Sequence, residues 1–300
     1  MAMVGRPTGW ENTTHATLAL PAADTLQGFV IQDDWSILAS QGVPNGDHED
    51  TWISKQTANA PVRTMIAMGA GHGAILGGLA HDKVLFDFNG KLVLAPWRPG
   101  SISRNSQGVK DWGGVFQSGN MSAVIDRRWG TACFYHHDTK TVVLRALADV
   151  ETQTDRPLGN AGPLVNRSPS GRLTLRQGWA IYNRQLFYLI GDHAGGQELI
   201  SYELATGRLL WRLPAKLCGD VAWQEPQGLF VSDLGVLSGN PMIYVGFTNR
   251  ISIGDSFVRQ HVIKRLRDPA TVLTPDWTSP AMAQRQPATW TAVHQWPGVA

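Results

Sequence analysis

Cysteine is scarce in this sequence. The 300 residues include two, Cys133 and Cys218, which excludes a small fold stabilised by several disulfides. Both lie in short apolar stretches, at 131–134 and 216–218. Since an unpaired cysteine packs as a small hydrophobic side chain, we expect both to be buried free thiols.

An excess of charge of one sign is also lacking. The chain has 26 Lys and Arg residues against 24 Asp and Glu, a net charge of +2, whereas a nucleic-acid-binding protein usually has a markedly basic surface. No stretch approaches the roughly 18 apolar residues of a membrane span, and the N-terminal residues lack the pattern of a secretory signal. We therefore expect a protein that is synthesised in a cytoplasm, does not insert into a membrane and does not bind nucleic acid.

Helical periodicity is nearly absent, and strand and turn signals take its place. There are 32 Gly and 17 Pro residues, and short runs of β-branched and aromatic residues lie between them. Residues 176–213 are the clearest case, with apolar runs at 177–182, 185–190, 198–204 and 208–213. Four antiparallel strands in about 38 residues are typical of one blade of a β-propeller.

The opening motif of this blade recurs along the chain. Gln177-Gly178-Trp179 is matched by Gln27-Gly28-Phe29 and by Gln227-Gly228-Leu229, and weaker matches start at His72 and Ser122. The five starts are about 50 residues apart, a period typical of propellers when no helix intervenes. The small residue after each polar one is expected to let neighbouring backbones approach closely at the central channel.

We therefore predict an all-β fold, a five-bladed β-propeller of four-stranded antiparallel blades. Residues 1–14 would form an N-terminal leader, 15–268 the propeller, and 269–300 a C-terminal tail containing several Pro and Trp residues. A strand over 16–20 is expected to join the last blade as its outer strand and so close the ring, which removes exposed sheet edges.

The polar residues that open the innermost strands form the candidate ligand-binding site. They are three amides, an imidazole, a hydroxyl and a neighbouring carboxylate: Gln27, Gln177, Gln227, His72, Ser122 and Glu225. Such groups can bind the hydroxyls of a sugar through hydrogen bonds. An alternative remains open, in which the amides bind backbone groups of adjacent blades and hold the ring together.

Catalytic and metal-binding residues are not predicted. Hydrolysis of a glycosidic bond requires two carboxylates about 5–10 Å apart, and Glu225 has no evident partner near the channel. His136-His137-Asp138 leads into a hairpin turn, so we interpret it as a solvent-exposed turn rather than a metal site. No cofactor is expected. A glycan-cleaving enzyme on the same fold is the second hypothesis.

Tryptophan is abundant, with 12 residues. Trp97 and Trp112 flank a polar insertion and are candidates for stacking on a sugar ring. Trp179 is expected to pack within its blade but, as part of a Gln-Gly-aromatic motif, is also a candidate ligand-binding residue. Polar insertions are predicted at 40–50, 98–120 and 154–172.

Together these motifs resemble those of propellers in phage baseplate and receptor-binding proteins, which are often labelled teichoic acid biosynthesis protein C and are similar to helveticin-type bacteriocins. The matching residues are Gln27-Gly28-Phe29, Gly71-His72-Gly73, Gln177-Gly178-Trp179 and Glu225-Pro226-Gln227-Gly228-Leu229. The resemblance implies a virion protein, at the tail tip or baseplate, that adheres to a cell-wall glycopolymer such as teichoic acid of a Gram-positive host. Its partners would be this polysaccharide and other tail proteins.

The resemblance also bears on assembly. Relatives often follow a long coiled-coil stem and form trimers, whereas no heptad repeat occurs in this sequence. Attachment to the tail is therefore expected through the termini or through another protein, and a homotrimer is implied by the relatives rather than by the residues. A purely structural tail-tip component, whose propeller is only a scaffold, is the third hypothesis.

Overall fold

The structure is a computed structural model. It describes residue 6 and residues 9–22, 24–57, 60–71, 75–80, 83–88, 91–111, 121–126, 131–136, 141–146, 157–163, 176–182, 185–193, 195–204, 206–214, 223–233, 241–253 and 256–267. No helix among these residues is long and apolar enough to cross a membrane.

The described residues form β-strands joined by turns. The strands are β1 (Gly9–Leu18), β2 (Leu26–Ile31), β3 (Ile37–Asn45), β4 (His48–Thr57), β5 (Ala60–Ala67), β6 (Ile75–Ala80), β7 (Lys83–Phe88), β8 (Lys91–Pro96), β9 (Gly100–Ile102), β10 (Lys110–Asp111), β11 (Met121–Asp126), β12 (Thr131–His136), β13 (Thr141–Ala146), β14 (Pro157–Pro163), β15 (Arg176–Tyr182), β16 (Gln185–Asp192), β17 (Gly195–Glu203), β18 (Leu209–Pro214), β19 (Trp223–Ser232), β20 (Met242–Ile253) and β21 (Ser256–Arg267).

These strands are arranged in five sheets, which we number by their order along the chain. Sheet 1 has the order β2-β3-β4-β5-β9, sheet 2 β6-β7-β8-β10, sheet 3 β11 to β14, sheet 4 β15 to β18, and sheet 5 β19-β20-β21-β1. Sheets 2 to 5 have the expected four antiparallel strands. Sheet 1 differs, because β9 adds to β5 as a fifth, parallel strand, so the prediction of uniform four-stranded antiparallel blades is wrong there.

The first strand of each sheet lies at the centre of the fold. β2 contacts β6, β6 contacts β11, β11 contacts β15, β15 contacts β19, and β19 contacts β2. The innermost strands therefore follow one another in a cyclic order, which is the propeller-like, all-β arrangement that the sequence predicts. We call this set of five strands the hub.

An N-terminal strand completes sheet 5, as expected. β1 pairs antiparallel with β21, from Gly9 opposite Arg267 to Leu18 opposite His261. The strand begins at Gly9, inside the segment expected to be a leader. Its first half is polar and contains register shifts near Thr14 and Ala16, so the alternation that identifies a strand is weak there.

Polar side chains fix the junction between sheet 5 and sheet 1. Arg259 donates hydrogen bonds of 2.7 Å to the carboxylate of Asp24 and 3.0 Å to the hydroxyl of Thr25. The Leu26 N–H donates to Thr248 Oγ1 at 3.2 Å. Because Asp24, Thr25 and Leu26 lead into β2, these bonds attach the first inner strand to the last sheet.

Glycines allow the inner strands to approach closely. A Cβ on Gly178 would lie 3.0 Å from Gly228 Cα, and one on Gly228 would lie 3.0 Å from Gly28 Cα. These distances are shorter than a methyl group tolerates, so β15, β19 and β2 pack backbone against backbone. The predicted role of the motif glycines is confirmed at these three positions.

The core consists of apolar layers between adjacent sheets. In β16, Phe187 and Leu189 pack with residues of sheet 5, whereas the alternate residues Leu186, Tyr188 and Ile190 pack with Val124 and Cys133 of sheet 3. A strand buried on both faces is apolar throughout, which explains the continuous apolar run of this segment. Cys133 is a buried free cysteine, as predicted; Cys218 lies outside the described residues.

The polar segments predicted to be insertions are partly strands. Residues 40–50 include the β3–β4 hairpin, in which Asn45 faces His48. The segment 98–120 contributes β9 and β10, and 154–172 contributes β14. Their Gly, Pro and Ser residues hide the strand pattern, since hairpin ends and outer strands tolerate such residues. The proposed tail at 269–300 lies outside the described residues.

Candidate functional site

The three predicted amides occupy bulges of the inner strands. Gln27 is unpaired between Leu26 and Gly28 of β2, and Gln177 is unpaired between Arg176 and Gly178 of β15. In β19 the pairing shifts between Pro226 and Leu229, which places Gln227 and Gly228 opposite one residue of β20. A bulge redirects the side chain of its extra residue.

The three bulges lie in neighbouring strands, because β15, β19 and β2 follow one another around the hub. The contacts of Gly178, Gly228 and Gly28 hold these strands together directly beside the amides. We call Gln27, Gln177 and Gln227, together with Glu225, the amide arc. It covers three consecutive sheets around the hub.

One hydrogen bond within the arc crosses between two sheets. Gln177 Nε2 donates to Glu225 Oε1 at 3.2 Å, which orients both side chains. The side-chain amides of Gln27 and Gln227 have no hydrogen-bond partner among the described residues. Gln27 is half-buried, so its donors and acceptors are accessible to a ligand that reaches the hub, whereas Gln227 is buried, with 7% of its surface exposed.

The alternative role for amides, bonding to the backbone, is taken by other glutamines. Gln41 donates to the carbonyls of Ala22 and Asp24, and Gln56 bonds both Thr17 O and the Ala19 N–H. Gln197 of sheet 4 donates to Gln224 O of sheet 5. Sequence reasoning missed these residues, because none of them belongs to the repeated motif.

The inner strand of sheet 2 has an apolar residue at its first bulge. β6 begins at Ile75, and its pairing with β7 shifts between Ile75 and Gly77 and again between Gly78 and Ala80. Leu76 therefore lies at a bulge of β6, as Gln27 does in β2. His72 itself lies outside the described residues, and its role as a ligand-binding residue stays a prediction. Ser122 lies in β11, which pairs regularly with β12 without a bulge.

Trp179 and Trp97 do not join the arc. Trp179 is 6% exposed and lies in the core between sheets 3 and 4, so its ring is covered by apolar neighbours. Trp97 follows β8 and packs on the core between sheets 1 and 2. The cationic groups of Lys55 and Arg63 lie over its ring, each 5.7 Å from the centroid. Trp112 lies outside the described residues.

A glycosidase would need a second carboxylate near the arc. Glu198 of β17 lies 2.8 Å from Arg212 Nη2 and is buried. Burial raises the pKa of the Glu198 carboxyl, while Arg212 opposes the shift. Gln197 faces sheet 5, and successive residues of a strand face opposite sides, so Glu198 is directed toward sheet 3 and away from Glu225.

Metal-binding clusters are absent from the part of the chain that the structure describes. His136 pairs with Thr141 across the β12–β13 hairpin, in agreement with the predicted turn, whose residues 137–140 lie outside that part. The arc therefore presents hydrogen-bonding groups and one carboxylate.

No protein-family model matches the sequence, and no curated protein matches it either. Among solved structures, the tail fiber of Staphylococcus aureus phage P68 is similar over 92% of this chain with a TM-score of 0.70. The sequence identity is 16%, and the match covers 55% of the tail-fiber chain. A luciferin-regenerating enzyme aligns over 87% of this chain and 93% of its own with 10% identity, but its TM-score of 0.39 is too low to support an argument.

Proposed function

We propose that this chain is a phage tail protein that adheres to a cell-wall glycopolymer of a Gram-positive host, and that the amide arc binds the sugar. The observation that carries the proposal is the repetition of a glutamine at the bulges of β2, β15 and β19. Gln177 also connects sheets 4 and 5 through Glu225, but the amides of Gln27 and Gln227 make no hydrogen bond among the described residues. The bonds from glutamine side chains to backbone groups are made by Gln41, Gln56 and Gln197. The fold shared with a phage tail fiber supports the choice of host surface as the target.

The proposal includes the finer architecture. We propose that the five sheets are the five blades of one closed ring, which extends from the N-terminal strand to about residue 268. The cyclic contacts of the five inner strands and the pairing of β1 with β21 support it. The segment 269–300, with Trp277, Trp290 and Trp296, would dock on other tail proteins, since tryptophan is enriched at interfaces.

The chemistry of the arc favours adhesion over cleavage. Amides donate and accept hydrogen bonds without titrating near neutral pH, so they fit the paired donors and acceptors of sugar hydroxyls. Glu225 adds one acceptor, and its bond to Gln177 leaves further lone pairs for a ligand. Cleavage would need a proton donor on the opposite side of the glycosidic bond, and the described part of the arc offers only amides for that position.

The experiment is co-sedimentation of the purified chain with Gram-positive cell walls, before and after the glycopolymers are removed chemically. We expect binding to intact walls and at least tenfold weaker binding to stripped walls. Gln177→Ala should weaken binding about five- to thirtyfold, as expected for one or two lost hydrogen bonds of about 1 kcal/mol each. Gln107→Ala, which changes an exposed amide outside the arc, is the matched control.

The other hypotheses give different results. Release of sugar fragments or new reducing ends from the walls would identify a glycan-cleaving enzyme. Failure to bind any host wall, together with incorporation of the chain into purified tails, would identify a structural tail component. Equal binding by the Gln177 variant and the wild type would remove the arc from the proposal.

A further inference from the structure

A row of cationic side chains crosses the outer part of sheet 1, far from the inner strand that carries Gln27. Lys55 of β4 lies opposite Arg63 of β5 in the strand register. In the next pair of strands Met65 lies opposite Gly100. Arg98 lies in the segment that leads into β9, two residues before Gly100, as Arg63 lies two residues before Met65. Extending the register of β5 and β9 by two residues would therefore bring Arg98 close to Arg63.

The row has little compensating charge. Asp34 Oδ2 lies 3.6 Å from Lys55 Nζ, and among the described residues neither Arg63 nor Arg98 has an ion pair or hydrogen bond. Arg63 and Arg98 are both exposed. Cations on directly opposite positions of neighbouring strands repel one another. Because the net charge of the chain is only +2, a general excess of positive charge does not explain three neighbouring cations.

Trp97 holds two members of the row in place. The Lys55 ammonium and the Arg63 guanidinium each lie 5.7 Å from the centre of its ring, a distance at which a cation is attracted by the ring. The indole therefore orients the cations and lowers their repulsion without neutralising them. Arg63 keeps its planar set of N–H donors for an anion, and such a set binds phosphate or carboxylate through two parallel hydrogen bonds.

We propose that Lys55, Arg63 and Arg98 form a second binding site, which takes the negative groups of an anionic glycan. Strands are about 4.8 Å apart, so the row spans roughly 10 Å and faces successive negative groups of a chain rather than a single ion. The choice of a glycan rests on the proposed function, whereas the charge of the ligand rests on the row itself. The amide arc would then bind sugar hydroxyls while the row selects charged polymers.

The test uses the whole chain and three immobilised polysaccharides: a phosphate-linked glycopolymer, a polyuronate and neutral dextran. The variant is Arg63→Gln with Arg98→Gln, which keeps polar side chains of similar length and removes two charges. We expect at least tenfold weaker binding of the two anionic polymers at 50 mM salt and a shallower salt dependence. Whichever anionic polymer the wild type holds more tightly identifies the negative group.

The control variant is Arg208→Gln with Arg250→Gln, which removes the same charge from exposed positions of sheets 4 and 5. It should bind both anionic polymers within twofold of the wild type, and thermal unfolding should show that both variants fold. Equal losses in the two variants would attribute binding to net charge and overturn the site. So would wild-type binding of duplex DNA as tight as that of the anionic glycans.

The failure of this site and the failure of the proposed function are distinguishable. If the Arg63 and Arg98 variant binds cell walls and anionic polymers like the wild type, the row is not a site but adhesion through the arc stands. If the wild type binds anionic polymers through the row but no host wall, the site stands and the proposed function does not.

Discussion

The side-chain amide of Gln177 donates a hydrogen bond of 3.2 Å to the carboxylate of Glu225, across the boundary between sheets 4 and 5. Both residues belong to inner strands, and both were selected from the sequence as residues near the channel. The bond connects sheets 4 and 5 at the proposed ligand site. A change to either residue would therefore affect both the contact between the two sheets and the shape of the site.

Replacement of Glu225 distinguishes adhesion from catalysis. Glu225→Gln removes the negative charge but keeps an oxygen that accepts from Gln177, so we expect cell-wall binding within about threefold of the wild type. Glu225→Ala removes the acceptor and leaves Gln177 unpaired, and binding should weaken about tenfold. Binding isotherms measure both variants. If Glu225→Gln abolished a measurable glycan turnover, the carboxylate would be catalytic.

The glycine contacts at the hub predict a graded loss of stability. Gly228 has a φ of +96° and its Cβ would lie 3.0 Å from Gly28 Cα, so Gly228→Ala combines backbone strain with a clash and should lower the free energy of unfolding by about 3 kcal/mol or more. Gly178→Ala, whose Cβ would lie 2.9 Å from Leu229 N, should cost about 1–3 kcal/mol through the clash.

Gly100→Ala is the control for these two variants. Gly100 has a φ of +105°, and nothing lies within 4 Å of a Cβ added there. The substitution therefore adds backbone strain without a clash and should lower the free energy of unfolding by about 1 kcal/mol. Denaturant unfolding measures all three. A larger loss of unfolding free energy for Gly100→Ala than for the other two variants would contradict close packing of the inner strands.

Acid should weaken the junction of sheets 5 and 1 through His261. Thr248 Oγ1 accepts the Leu26 N–H and lies 3.2 Å from His261 Nδ1, so the hydroxyl and the imidazole share a hydrogen bond whose direction depends on the imidazole tautomer. Burial, together with Arg259, lowers the pKa of His261 from 6.5 to about 4, while Asp24 opposes the shift. Between about pH 6.5 and pH 4 the imidazole of His261 binds a proton in the unfolded chain but not in the folded chain. The free energy of unfolding therefore falls as the pH is lowered through this range.

The expected loss from His261 is roughly 3 kcal/mol between pH 7 and pH 4. His15 adds a similar loss, because burial and the neighbouring Arg265 lower its pKa to about 4 as well. His261→Asn should remove about half of this acid sensitivity, whereas His193→Asn, at an exposed position, should leave it unchanged. Urea unfolding at a series of pH values gives the measurement. An unaltered pH profile in His261→Asn would exclude this mechanism.

Cys133 should resist thiol reagents in the folded protein. Complete burial raises the pKa of its thiol, so the reactive thiolate is scarce and the reagent has no access. In the Cys218→Ser variant, which leaves Cys133 as the only cysteine, labelling should follow global unfolding and accelerate with denaturant. Labelling within seconds in native buffer would contradict the core position between sheets 3 and 4.

The sequence predicted those features that depend on repeated local patterns. The Gln-Gly motifs placed Gln27, Gln177 and Gln227 correctly at three inner strands, and the apolar runs at 185–190 and 198–204 correspond to β16 and β17. The bulge at Leu76 could not be predicted, because it depends on pairing with β7 and leaves no polar marker in the chain. The parallel addition of β9 to sheet 1 could not be predicted, since it joins segments that are distant in sequence through backbone bonds alone.

The most direct test of the account is a structure of the chain with oligosaccharides released from the host cell wall. We expect sugar hydroxyls within hydrogen-bond distance of the amides of Gln27, Gln177 and Gln227, at the inner ends of three consecutive sheets. Sugar bound only elsewhere on the chain, with these amides unoccupied, would contradict recognition at the hub.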